Sequence, residues 1–333
     1  MSRRGWALFA AMSIIWGIPY LLIKVAVSGV PVPVLVLARV GVSAALLLPA
    51  ALRRRQLAVL LAHWRWLAAF AIVEIILPWL LLSDAEMKLS SSMSGLLVAS
   101  VPIIVVVLAR LTGAAERLSA VRWTGLLVGL GGVALLAGPG AVGGDAWSIT
   151  EVLLVAVCYA TGPLIASRKL AGLPPLGMTA VCQGFAALVY APLAAATWPD
   201  SLPSARVLAA LAGLAIICTA AAFMIFFRLI AEVGPARASV ITYINPVVAV
   251  ILGVSVLGER LTPAMACAFG LILGGSVLAT RAGGRSAGQL APQPASTPEP
   301  APGATAQACA EACADSAANA ACREPPAPID SPA

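Results

Sequence analysis

Read for hydrophobic and polar positions, the chain alternates long apolar runs with short breaks that hold most of its charge. A bilayer core about 30 Å thick needs about 20 apolar helical residues per crossing. Runs of that kind predict spans over 6–27, 33–52, 66–84, 92–111, 121–138, 149–167, 175–196, 207–229, 237–257 and 263–281. Hydrocarbon offers no partner for a free peptide group, so each span is expected to be a helix. The pattern stops at Gly283, after which Ala, Pro, Gly and Ser dominate without periodicity. Residues 283–333 are expected to form a disordered cytoplasmic tail, because they have too little apolar surface to order themselves.

Composition excludes the soluble alternative. Of 333 residues, 61% are hydrophobic and 11% charged, against about 25% charged in soluble domains. So little polar material cannot cover a water-facing surface, and the lipid bilayer is the expected solvent. The net charge of +7 does not point to nucleic acid, because the basic residues sit at the ends of apolar runs. With the N-terminus inside, fifteen Lys and Arg residues fall in cytoplasmic segments and only Lys88, Arg206 and Arg260 on the other side. That bias predicts both termini in the cytoplasm. The first span, with Arg3, Arg4 and "AVSG" at 26–29, has features of a signal peptide. Its length, Pro19 and a partner span in the second half favour a retained helix. Cys158, Cys182, Cys218 and Cys267 read as small buried hydrophobes, and Cys309, Cys313 and Cys322 as reduced thiols of the tail.

The chain is also duplicated. The segment Glu116-Arg117-Leu118 recurs at Glu259-Arg260-Leu261, a shift of 143 residues. The same shift carries Trp16 to Tyr159, Gly41 to Gly184, Ala44 to Ala187, Pro49 to Pro192 and Gly131-Gly132 to Gly274-Gly275. A shift of 144 carries Pro102 to Pro246. Each copy holds five spans, an odd number, so the second copy enters the membrane from the opposite face. The predicted fold is an all-α polytopic membrane protein of ten transmembrane helices in two inverted five-helix repeats. The expected domains are 1–140, 146–282 and the tail 283–333. Inverted repeats of this kind give many secondary transporters their two exchangeable conformations.

The pattern Trp16-Gly17, Lys24, Ala38-Arg39 and Pro102 with Glu116-Arg117-Leu118 resembles the EamA-type family of the drug/metabolite transporter superfamily. Asn245-Pro246, Gly258-Glu259-Arg260-Leu261-Thr262 and the glycines that follow repeat its later signature. The resemblance covers residues 5–281. It implies two inverted five-helix bundles around a central cavity, moving small metabolites across a bacterial inner membrane, often as export. The second half departs from the first: Ser167 stands opposite Lys24, and Cys182, beside Gln183, stands opposite Arg39. Glu74 lies outside the signature.

Candidate substrate or coupling residues are the intramembrane charges Lys24, Arg39 and Glu74, with Trp16, Trp79, Tyr159, Tyr243 and Asn245. Ionisable groups in hydrocarbon are costly and face a cavity or a partner. Lys24 lies close enough to the span end to snorkel to the interface. Arg39 and Glu74 differ in depth by roughly 9 Å at about 1.5 Å per residue. A ligand with a carboxylate toward Arg39 or Lys24 and an amine toward Glu74 would bridge them; a structural Arg–Glu pair is the plain alternative. Burial of Glu74 also makes it a candidate for proton coupling. Pro102 and Pro246 are candidate hinges or cavity walls, each interrupting its span. Gly125 with Gly129, and Gly270 with Gly274, are candidate packing seams or a homodimer contact. The E-R-L glutamates are expected to cap and orient the helix that follows, with gating as the functional alternative.

Three function classes compete. A secondary transporter of small molecules by alternating access leads, exporting amino acids or similar zwitterions. A passive pore or lipid scramblase would use the same bundle without coupling. An intramembrane enzyme has least support: H-E-x-x-H and G-x-S-x-G are absent, "VGGD" at 142–145 misses the G-x-G-D spacing, and the single histidine, His63, falls in a cytoplasmic loop. There is no Walker A segment, and no cofactor or metal is expected.

Overall fold

The computed structural model of the chain describes residues 2–111, 120–137, 145–234, 238 and 240–281. Glu116-Arg117-Leu118, Val142-Gly143-Gly144 and the tail with its three cysteines lie outside the described residues. Within them the fold is helical, without a strand. Seven helices are long and apolar enough to cross a membrane: α1 (Arg3–Ala26), α2 (Val32–Arg53), α3 (Trp64–Lys88), α4 (Ser91–Leu108), α6 (Ala146–Lys169), α7 (Pro175–Ala196) and α8 (Ala205–Val233). Three shorter apolar helices complete the set: α5 (Ala120–Leu136), α9 (Ile241–Leu257) and α10 (Pro263–Ala279).

Local chemistry explains the helix ends. Ser2, Ser90, Asp145 and Ser204 accept from backbone N–H groups in the first turns of α1, α4, α6 and α8, satisfying donors that lack an intrahelical partner. The interiors are less regular. α1 breaks at Trp16-Gly17 and α4 at Ala99-Ser100, so Pro102 sits in the first turn after its break. Pro246 lies inside α9 and is buried. α3 widens to a π-helix over Ile72–Ile76 and α8 over Gly213–Ala221. Such bulges project side chains out of helical register and gather at functional sites.

Burial is inverted relative to a soluble protein. Mid-helix leucines such as Leu188 and Leu127 are 74% and 65% exposed, while Arg39, Ser43, Glu86, Gln183 and Thr219 are buried. Trp6, Trp64, Trp66, Trp123, Trp147 and Trp198 are exposed at helix ends, where indoles form the aromatic belts of membrane proteins. Trp16 and Trp79 are the two tryptophans inside. Cys158, Cys182 and Cys218 are buried as expected, but Cys267 is exposed: it lies on the outer face of α10, where an apolar residue needs no burial.

The helices pack in pairs: α5 along α10, α2 along α7, α3 against α6, α1 against α8, and α4 against α9. Contacts between helix ends fall into two sets. In one, Ser2 Oγ donates to Glu232 (2.5 Å) and Lys169 lies 4.9 Å over the Trp66 ring. In the other, Lys24 donates to Leu89 O (2.7 Å), Lys88 pairs with Asp145 (2.9 Å) and Ser91 N donates to Glu259 (2.7 Å).

The α5–α10 seam corrects one expectation. Gly125 and Gly129 do lie on it, where a Cβ at Gly125 would collide with the Ala279 backbone. Their partner is Gly275, which sits against the Gly129 backbone; added Cβ atoms at Gly270 and Gly274 meet nothing within 4 Å. The four-residue spacing was right for a helix face but one residue off in α10, a rotation of about 100°. Gly275→Leu is expected to force the backbones apart and destabilise the fold by about 1–3 kcal/mol, while Gly274→Leu leaves it unchanged. Thermal melts of the purified variants measure the difference.

Candidate functional site

The buried charges cluster where α1, α2, α3, α6 and α8 meet. Arg39 on α2 is 6% exposed. Its Nε donates to Thr219 Oγ1 at 3.0 Å, and its Cζ stacks 3.6 Å from the centroid of the Trp79 ring. Thr219 belongs to the α8 bulge and passes the contact on, donating to Leu214 O at 2.8 Å. The guanidinium has five N–H donors, so its terminal nitrogens are free to bind an anion after Nε is used. Tyr20 and Tyr159 lie within its electrostatic reach.

Glu74 sits in the α3 bulge and points at α6. Its Oε2 is buried and receives no hydrogen bond from a described residue. A Cβ placed on Gly162 would collide with that oxygen, so the glycine is what admits the carboxylate. Arg39 and Glu74 do not form the ion pair considered above; among the described residues the salt bridge is Lys88–Asp145. Tyr159 lies in the field of both. The α3 bulge is itself tied down by Tyr190, whose hydroxyl donates to Ile76 O at 2.7 Å.

The remaining candidates divide. Lys24 does not snorkel: its Nζ donates to the backbone carbonyls of Glu86 (2.6 Å) and Leu89 (2.7 Å), at the end of α3. Trp16 packs on Phe226 and Phe223, with centroids 4.6 and 6.1 Å away, and belongs to the α1–α8 contact. Asn245, with its amide nitrogen toward the acceptors, donates to Ser13 O (3.1 Å) and Ile241 O (3.0 Å), joining α9 to α1. Tyr243 is half-buried on α9. His63 is exposed at the start of α3, bonded to Val59 O at 3.0 Å.

Two features escaped the sequence reading. Glu259 caps α4 rather than the helix after it: Oε1 accepts from Ser91 N (2.7 Å), and Oε2 from Ser92 N (2.9 Å) and Ser92 Oγ (2.5 Å). Gly258, left-handed at φ 67°, turns the chain so that this reach is made, and α10 is capped by Thr262 instead. Glu86 is the second feature. The predicted span ended at 84, but α3 continues to Lys88 and Glu86 is fully buried. The signal was present in Asp84-x-Glu86-x-Lys88: positions four apart share a helix face, and the one between them points the other way.

Apolar helices around a buried, charged interior define a polytopic membrane protein. The chain belongs to the EamA-like transporter family, whose model matches residues 3–138 and again 146–281. It is 31% identical over 282 residues to the uncharacterized inner membrane transporter YedA of Escherichia coli K12, covering 82% of this chain and 89% of that one. The YedA protein of Escherichia coli O157:H7 matches equally. A solved crystal structure superposes with a TM-score of 0.59 at 23% identity, over 85% of this chain and 98% of the other, which is a likeness of fold.

Proposed function

We propose that the protein is a secondary active transporter that exports small zwitterionic metabolites, amino acids or close analogues, across the bacterial inner membrane. Two inverted five-helix repeats, 1–140 and 146–282, alternate access to a site between them. The closest helix pairings support the repeat: α3–α6 has its mate five helices on in α8–α1, α1–α9 in α6–α4 and α2–α8 in α7–α3, while α2–α7, α4–α9 and α5–α10 map onto themselves. The two π bulges also fall in matching helices, α3 and α8. With both termini in the cytoplasm, the end holding Lys24, Lys88, Asp145 and Glu259 faces outward. The name of YedA supports the inner membrane.

The observation that carries the substrate class is Arg39. It is buried, unique to the first repeat, and held by Thr219 and Trp79 with donors to spare. A scaffold that is duplicated while its charges are not has placed those charges for a ligand. The substrate's carboxylate binds Arg39 and its ammonium group binds Glu74, with Tyr159 in the field of both residues. The activity is non-enzymatic. Two measurements test this. Reporter fusions after Arg55 and Arg285 should read cytoplasmic and one after Gly144 external; the same side for Gly144 and Arg285 sinks the inverted arrangement. Proteoliposomes should take up a labelled amino-acid mixture with saturation and counterflow, whereas a linear, unsaturable flux would mean a pore.

A further inference from the structure

The outward end of the bundle holds a second buried carboxylate that the substrate site above does not use. Glu86 is 0% exposed, and neither carboxylate oxygen receives a hydrogen bond from a described residue. Lys24 is beside it but donates to the backbone carbonyls of Glu86 and Leu89. Ser83, one turn earlier on α3, is likewise buried with its hydroxyl unbonded. The groups around Glu86 come from every neighbouring helix. α1 brings Tyr20 and Lys24, α2 brings Arg39, and the turn after α9 brings Glu259. α6 brings Tyr159, which lies in the field of Arg39, whereas its Glu151 faces Asp84 and Lys88 on the other side of α3. α4 brings the buried serines Ser91, Ser92 and Ser94.

A carboxylate in hydrocarbon without donors is far costlier than the neutral acid. With no exposed surface, Glu86 has no room for an organic ammonium or a hydrated metal ion. A proton needs no room. Within its electrostatic reach, Glu259 closes α9 onto α4 through its three hydrogen bonds to Ser91 and Ser92. The two carboxylates lie in each other's field, so closing this clasp brings like charges together unless one of them is neutralised.

We propose that Glu86 is the proton-carrying residue of the transport cycle, loaded from the outer solution when the Glu259 clasp opens and sealed in when it closes. This rests on the secondary-transport reading and adds its coupling ion. A proton leaves water on one face for a Glu86 carboxylate oxygen and returns from it to water on the other, with no bond to carbon or sulfur altered and nothing oxidised. Protonation removes the repulsion that opposes the clasp, which is how ion loading and gate closure are linked. Glu74 then serves the substrate and Glu86 the driving ion.

The test uses the full chain in lipid nanodiscs and proteoliposomes. At neutral pH the infrared spectrum should contain the C=O band of a buried carboxylic acid that Glu86→Gln removes and Glu74→Gln leaves. In vesicles given a gradient of one pH unit and a labelled amino-acid mixture, one proton per cycle gives about tenfold accumulation. Glu86→Gln should equilibrate the amino acids without concentrating them, while exchange of internal for external amino acid continues. Retention of the band, or of tenfold accumulation, in Glu86→Gln overturns the proposal. If that variant does not fold, Glu86→Asp decides: a displaced pH profile supports the role and an unchanged one overturns it. Should the wild type move no amino acid, the substrate reading fails, and the infrared band still judges Glu86.

Discussion

Replacing Arg39 with glutamine is expected to lower saturable transport by about 10–100-fold while the protein inserts and accumulates normally. A hydrogen-bonded contact to a charged group is worth about 1.5–3 kcal/mol, and about 1.4 kcal/mol is a factor of ten. Glutamine keeps an amide near Thr219, so the α2–α8 contact is retained, but it loses the charge and the planar surface over Trp79. Arg39→Lys separates these contributions. Lysine restores the charge without the fork that uses Nε on Thr219 and leaves the terminal nitrogens for the ligand. Its KM should rise with a smaller change in maximal rate. Uptake kinetics at matched protein abundance measure both variants. A collapse in abundance with Arg39→Gln would mean that the residue holds the bundle together and serves no ligand.

Glu74→Gln should abolish net transport, or reduce it by about tenfold or more for the loss of one charged contact, with insertion unchanged. The exchange is isosteric and Gly162 still admits the side chain. A companion variant separates the charge from its position. Gly162→Ala puts a methyl group where Glu74 Oε2 now lies and should displace the carboxylate without removing it. Both variants should lose transport and both should melt close to the wild type. Wild-type transport in Glu74→Gln with an unchanged pH profile would remove Glu74 from the site.

Much of the architecture was legible because a bilayer constrains sequence strongly. Every peptide group must be bonded within its own helix and every outward side chain must be apolar, so span positions follow from composition alone. Seven of the predicted spans correspond to helices long enough to cross, and the other three to shorter apolar helices. The interior was less legible. Arg39 and Glu74 stood out because charges are rare in hydrocarbon, but Glu86 was hidden two residues past a predicted boundary. The glycine seam was misplaced by one residue in α10, since the G-x3-G spacing marks a face without saying which way the helix turns it. Cys267 was read as buried because apolarity and burial were equated, an equation that lipid cancels.

The sequence by itself determined the solvent, the helical class, the duplication and the family, because each depends on residue type and spacing along the chain. Only the tertiary structure decided which polar groups meet. Arg39 and Thr219 are 180 residues apart, and Ser91 and Glu259 are 168. Whether such groups touch depends on the rotation of each helix about its axis and on where its register breaks. In α3 and α8 a π bulge of a few residues shifts that rotation. The energy difference between one facing and another lies in packing against distant helices, so it leaves no mark in the local pattern of hydrophobic and polar positions.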